Sequence, residues 1–135
     1  MVIALNPDSE VRYVLTADRE LPEEQQTVFR LRHLTVRQRA ELYKVLAVAE
    51  KDKDERKFVD AIVDAAHAAL AGWDNLCDAD GNAVRCRMDR GAILGSTGSF
   101  VAESALKALP FDAVQELGQH VIEAMLSMSE DDRGK

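Results

Sequence analysis

Asp78-Ala-Asp80-Gly81-Asn82 places carboxylates at alternating positions, a spacing at which side-chain oxygens can converge on a hard cation. A calcium loop needs more oxygen donors before its glycine and a glutamate at its twelfth position, where this chain has Asp89. An Asp-Gly turn between two short strands is the better reading. Cys77, Cys86, His33, His67 and His120 are all metal-ligand types, but no pair has the spacing of a zinc motif. Whether Cys77 and Cys86 face each other depends on hairpin register: a turn at Gly81-Asn82 pairs them, and one at Asp80-Gly81 does not. Ser96, Ser99 and Ser104 supply hydroxyls without a base at a recognisable distance in sequence, and there is no GxSxG elbow. Gly91-Ala-Ile-Leu-Gly95-Ser-Thr-Gly98-Ser99 has the glycines of a phosphate loop but not its lysine, so a loose connector is expected there. The expectation is a chain with no catalytic residues, no metal and no cofactor.

One charge cluster stands against the overall balance. Arg30, Arg32, His33, Arg37 and Arg39 fall within ten residues of a chain whose net charge is −7. That balance argues against general nucleic-acid binding, which needs net or strongly clustered positive charge. Contact of these arginines with the protein's own acidic segments, an acidic partner or a second copy is the preferred reading.

The elements that would position these groups fit one domain, residues 1–135, with 1–10 and 129–135 expected to be flexible ends. No apolar run approaches the length of a membrane span, and the first residues lack the pattern of a signal peptide, so a cytoplasmic protein is expected. Val11–Leu15 and Thr27–His33 carry β-branched and aromatic residues, predicting a two-stranded antiparallel ribbon joined by a mobile loop over 16–26. Thr35-Val-Arg-Gln38 reads as a capping box opening a helix with Val36, Ala40, Tyr43 and Ala47 on its apolar stripe, flanked by Leu42, Leu46 and Ala49. The charged run 50–56 reads as a helix end or interhelical turn. A second stripe, Phe58, Ile62, Ala65, Ala66, Ala69 and Leu70, ends at Gly72, and the two segments are expected to pack as a helical hairpin. A short β-turn segment follows, then a short helix near Val101–Leu109. A last helix enters at Pro110 with a stripe of Val114, Leu117, Val121, Met125 and Met128. The fold class is therefore α+β, mostly α-helical.

Several phrases together resemble a known family. These are Val14-Leu-x-x-Asp18-Arg19-x-Leu21-Pro22-x-x-Gln25-Gln-Thr27-x-Phe29 with Leu34-Thr35, then Leu70-x-Gly72-Trp73-Asp-Asn-Leu-x-Asp78-x-Asp80-Gly81-Asn-Ala-Val84, and finally Leu109-Pro110. Across roughly residues 11–132 the chain resembles the tail assembly chaperones of long-tailed bacteriophages. The resemblance implies binding rather than catalysis. Its partners would be the tape measure protein and tail-tube subunits, met in the cytoplasm of an infected or lysogenic bacterial host. A structural head–tail connector or tail-completion subunit is the alternative.

Under the chaperone reading Leu117, Val121, Met125 and Met128 are candidates for an apolar docking groove, methionine being adaptable to varied partners; ordinary core burial is the competing reading, stronger for Leu117 and Val121 than for the methionines. Trp73 is a candidate partner anchor, but a structural role, clamping the turn region with its indole N–H bonded to a carbonyl, is the preferred reading. Arg30, Arg32, Arg37 and Arg39 are the candidate charge contact, and self-association is among the contacts considered.

Overall fold

In the computed structural model, residues 1–2 and 9–133 are described, with side chains through Ser127. The expected flexibility of residues 3–8 and the expected groove position of Met128 lie outside what is described. Among the described residues the order is β1 (Glu10–Val14), β2 (Val28–Arg32), α1 (Val36–Asp52), α2 (Glu55–Ala69), β3 (Leu70–Asp74), β4 (Met88–Ile93), β5 (Ser96–Val101), α3 (Glu103–Leu106) and α4 (Phe111–Arg133).

The expected N-terminal ribbon is only part of a three-stranded antiparallel sheet, ordered β1-β2-β3. β2 alternates cleanly, Phe29 and Leu31 buried and Val28, Arg30 and Arg32 half-buried on the other face. The third strand comes from residues expected to end a helix. α2 stops at Ala69, Leu70 leaves it with ψ at 118°, and the chain runs straight into β3 without a left-handed glycine cap. Gly72 serves packing instead: it pairs with Arg30 in register, and a Cβ there would overlap the Arg30 guanidinium. The connection over 16–26, expected to be mobile, holds two 3-10 turns and is tied down. Asp18 accepts from the Thr27 amide, and Asn75 Nδ2 donates to the carbonyls of Glu24 and Gln26.

The capping box at the start of α1 forms, with the Gln38 amide donating to Thr35 Oγ1 at 3.1 Å and the Thr35 amide to Gln38 Oε1 at 2.9 Å. The charged run breaks the helix at Lys53, in the left-handed region at φ 49°, and Asp54 caps α2. However, α1 turns a different face inward from the one expected. Leu42 and Ala49 are buried while Val36, Ala40, Tyr43 and Ala47 face outward. Two apolar stripes compete on this helix, and the one carrying Leu42, Val45 and Leu46 removes more apolar area from water than one built on two alanines.

The mostly helical architecture centred on a helical hairpin does not hold. The chain forms two antiparallel sheets, and α2 packs chiefly against α4, with α1 its lesser partner. Alanines 61, 65, 66, 68 and 69 of α2 are buried, and at the crossing Gly118 of α4 lies so close that a Cβ would overlap the Ile62 carbonyl. The glycine-rich stretch expected as a connector is the β4–β5 hairpin. Gly91 pairs with Gly98, and the turn is made by Leu94 and Gly95 with φ of 51° and 79°. Both central residues of a two-residue hairpin turn take positive φ in the type I′ geometry; a leucine there gives no sequence signal. The helix expected at Val101–Leu109 shrinks to the single turn α3, leaving α4 as the one long C-terminal helix among the described residues. Its backbone stays helical to Arg133, through much of the tail expected to fray. One core joins both layers, with Phe29, Leu42, Leu70, Val101 and Leu117 almost wholly inaccessible.

Candidate functional site

A cleft opens where the sheet meets the C-terminal half of α4. Leu31 of β2 and Leu34, just beyond it, form one wall with Val11 of β1. Val121, Ala124 and Met125 of α4 form the other, and Arg32, His33, Arg39 and His120 stand at the rim. Local sequence places these groups simply. Strand alternation aims Leu31 inward, and the 3–4 spacing of a helix brings Val121, Ala124 and Met125 onto one side of α4. Val121 and Met125 are largely buried and make the floor, whereas Val11 is 45% exposed at the mouth.

One end of the cleft is stitched to the sheet. The Tyr13 ring lies 4.4 Å from that of His120. Tyr13 Oη donates to Glu116 Oε2 at 2.8 Å, and the same oxygen accepts from the Thr16 amide at 2.9 Å and the Thr16 hydroxyl at 3.1 Å. Desolvation pushes the Glu116 carboxyl upward, but the Thr16 amide, the Tyr13 and Thr16 hydroxyls and Arg19 together hold it below the usual carboxylate range. Desolvation and the bond to Glu116 raise the Tyr13 phenol.

The expected site residues separate. Val121 and Met125 reach the cleft; Leu117 does not, being wholly enclosed in the core beneath it. Trp73 is 6% exposed, packs edge-on to Phe29 and donates its indole N–H to the Val84 carbonyl at 2.9 Å. It therefore clamps the turn segment to the sheet, the structural role favoured for it in sequence, and offers a partner almost no surface as an anchor. The four arginines do not form one patch. Arg30 pairs with Glu10 and Asp74 at 3.9 and 3.6 Å, and Arg32 donates to the Ser99 carbonyl at 2.6 Å and lies over the Phe100 ring. Arg37 crosses the β4–β5 turn at Gly95, and only Arg32 and Arg39 reach the cleft rim.

The remaining candidates are engaged structurally. Asp78 accepts from the amides of Asp80 and Asn82, closing the turn from within. Cys77 pairs with Ala83 across that turn, a register that leaves Cys86 three residues beyond, and both thiols are free. His67 Nε2 lies 2.6 Å from the Val101 carbonyl, Ser96 Oγ bonds Thr35 Oγ1, and Ser104 Oγ accepts from Arg87. Among the described residues no group of three or more His, Cys, Asp or Glu side chains is placed to hold a metal ion, and no helix is long and apolar enough to cross a membrane.

Sequence reasoning found half of the cleft, the α4 stripe. It missed Val11, Leu31 and Leu34 as the facing wall, because no local pattern states which helix a strand will meet. Comparison of the chain with protein-family models, curated proteins and solved structures finds no match.

Proposed function

We propose that this chain is a non-catalytic assembly factor that holds an apolar segment of a helical protein partner. Its role would be that of the phage tail assembly chaperones it resembles, with the tape measure protein or tail-tube subunits as cargo. The observation that carries this reading is the apolar cleft between the sheet and α4, with Val11 and Ala124 exposed at its mouth over the largely buried Leu31, Leu34, Val121 and Met125. A long amphipathic helix exposes an apolar stripe that aggregates in water unless covered, and a groove of this kind covers it by taking side chains spaced along one helix face. Met125 suits such a groove because its unbranched thioether repacks around different side chains. The net charge of −7 keeps the complex soluble.

Co-expression of the tagged chain with the neighbouring open reading frames, followed by pull-down and sizing, tests the reading. A long helical neighbour that is insoluble alone is expected to be recovered with the wild-type chain. Recovery should fall with Ala124→Glu, which charges an exposed cleft position while leaving the core intact. Rings of this chain alone, persisting in finished particles, would replace the chaperone reading with that of a connector or completion subunit.

A further inference from the structure

The segment Arg32–Leu34 borders a second groove besides the cleft. This groove, of about 570 Å³, lies between the start of α1 and β5, with Leu34, Val36 and Phe100 as its apolar lining. What β5 presents to it follows from the hairpin register. Leu94 and Gly95 make a two-residue turn, so Ile93 and Ser96 form the first bonded pair and every second residue after Ser96 bonds to β4. Ser96, Gly98 and Phe100 are thereby satisfied within the hairpin, whereas Thr97 and Ser99 turn their backbone groups away from β4. Two contacts match this register: the Ser99 carbonyl accepts from Arg32 Nη2 at 2.6 Å, and the Val101 carbonyl lies 2.6 Å from His67 Nε2. The Thr97 amide and carbonyl and the Ser99 amide have no hydrogen-bond partner among the described residues. At the end of this edge the Arg32 guanidinium lies over the Phe100 ring, and its hydrogen bonds among the described residues go to the carbonyls of Ser99 and Ala68. No carboxylate of the described residues pairs with it, and no Asp or Glu lines the groove.

We propose that β5 binds the free C-terminus of a partner protein as an added parallel strand, with the terminal carboxylate at Arg32. The hydrogen-bond pattern selects this occupant. In parallel pairing, the residue beside Gly98 would donate to the Thr97 carbonyl and accept from the Ser99 amide. The residue two further on would need the Ser99 carbonyl, which Arg32 already holds. The added chain therefore ends beside Gly98, one carboxylate oxygen on the Ser99 amide and the other toward the guanidinium. An antiparallel chain would bring to Arg32 either an amide competing for the same carbonyl or its own ammonium group, which also disfavours pairing with β5 of a second copy. A side-chain carboxylate stands perpendicular to its strand and cannot reach both donors in the plane of the ladder. The last side chain would lie on the Gly98 face of the strand, where the Phe100 ring sits, so an apolar final residue fits.

The probe is a fluorescein-labelled pentapeptide of β-branched residues ending in valine, made as the free acid and as the C-terminal amide. Fluorescence anisotropy titration should show the wild-type chain binding the acid at least about tenfold more tightly than the amide, with the margin shrinking at about 0.5 M salt. Arg32→Gln should remove the difference between the two peptides. Thr97→Pro deletes an amide that faces away from β4, so it should weaken the acid while the melting temperature stays that of the wild type. Ala124→Glu, in the cleft, should leave the titration unchanged. Failure of the acid to bind, equal binding of acid and amide, or wild-type binding by Thr97→Pro would overturn the proposal. So would loss of binding in Ala124→Glu, which would place the peptide in the cleft, or a concentration-dependent dimer abolished by Thr97→Pro.

Discussion

Glu116 gathers three donors on one carboxylate oxygen, from Tyr13 and from the amide and hydroxyl of Thr16, and so ties the first strand and its following turn to α4. Charge makes each of these bonds stronger than its neutral counterpart. Because the folded state holds the carboxyl below its ordinary range, the contribution is present above the unfolded pKa and is lost as pH falls through the folded one. Glu116→Gln should therefore lower stability by about 1 kcal/mol at neutral pH. The gap to the wild type should close in acid, since the protonated wild-type carboxyl no longer offers a charge. Thermal melts of both proteins across the acidic range check this, and a gap that persists undiminished in acid would show that the carboxylate charge is not what holds the turn.

At the scale of elements, α2 and α4 approach closely where Gly118 of α4 lies against Ile62 of α2, a helix whose buried residues are all alanines. In an isolated helix Gly→Ala is stabilising by about 1 kcal/mol. Here the new methyl would meet the Ile62 carbonyl, a backbone atom that cannot rotate aside, and the helices would have to separate. Gly118→Ala should destabilise by about 3 kcal/mol or more, the upper range for overpacking, read as a lowered denaturation midpoint. A rise in the midpoint would mean that helix propensity outweighs the crossing. The same pair shows what was legible in sequence. The α4 stripe is strong because Val114, Leu117, Val121 and Met125 agree on one face, and all four are buried. On α1 two faces were both apolar enough to be inward, and local spacing could not choose between them. The β4–β5 hairpin was hidden for another reason: its glycines lie within paired strands, and its turn uses Leu94 where Asn or Asp would have announced it.

For the whole molecule, one core runs from Phe29 and Trp73 of the sheet through α2 to Leu117 of α4, so sheet and helices should unfold together. Trp73, the single tryptophan, reports on the sheet, and far-UV circular dichroism reports mainly on the helices. Their urea transitions are expected to coincide, and an earlier tryptophan transition would divide the molecule into two cooperative units. The sequence by itself determined those features whose signals are local: the capping box at Thr35 and Gln38, the Asp78–Asn82 turn, the inward alternation of Phe29 and Leu31, and the buried face of α4. Tertiary structure decided the rest. It made Leu70–Asp74 a third strand, because β2 had a second edge to pair and Gly72 left room for Arg30. It set α2 chiefly against α4, with α1 the lesser partner, turned the Val36–Ala47 face outward, and brought Leu31 and Leu34 across from Val121 and Met125 to make the cleft. Each of these is a choice among competing long-range burials, and its energy depends on a facing surface that no local stretch of sequence contains.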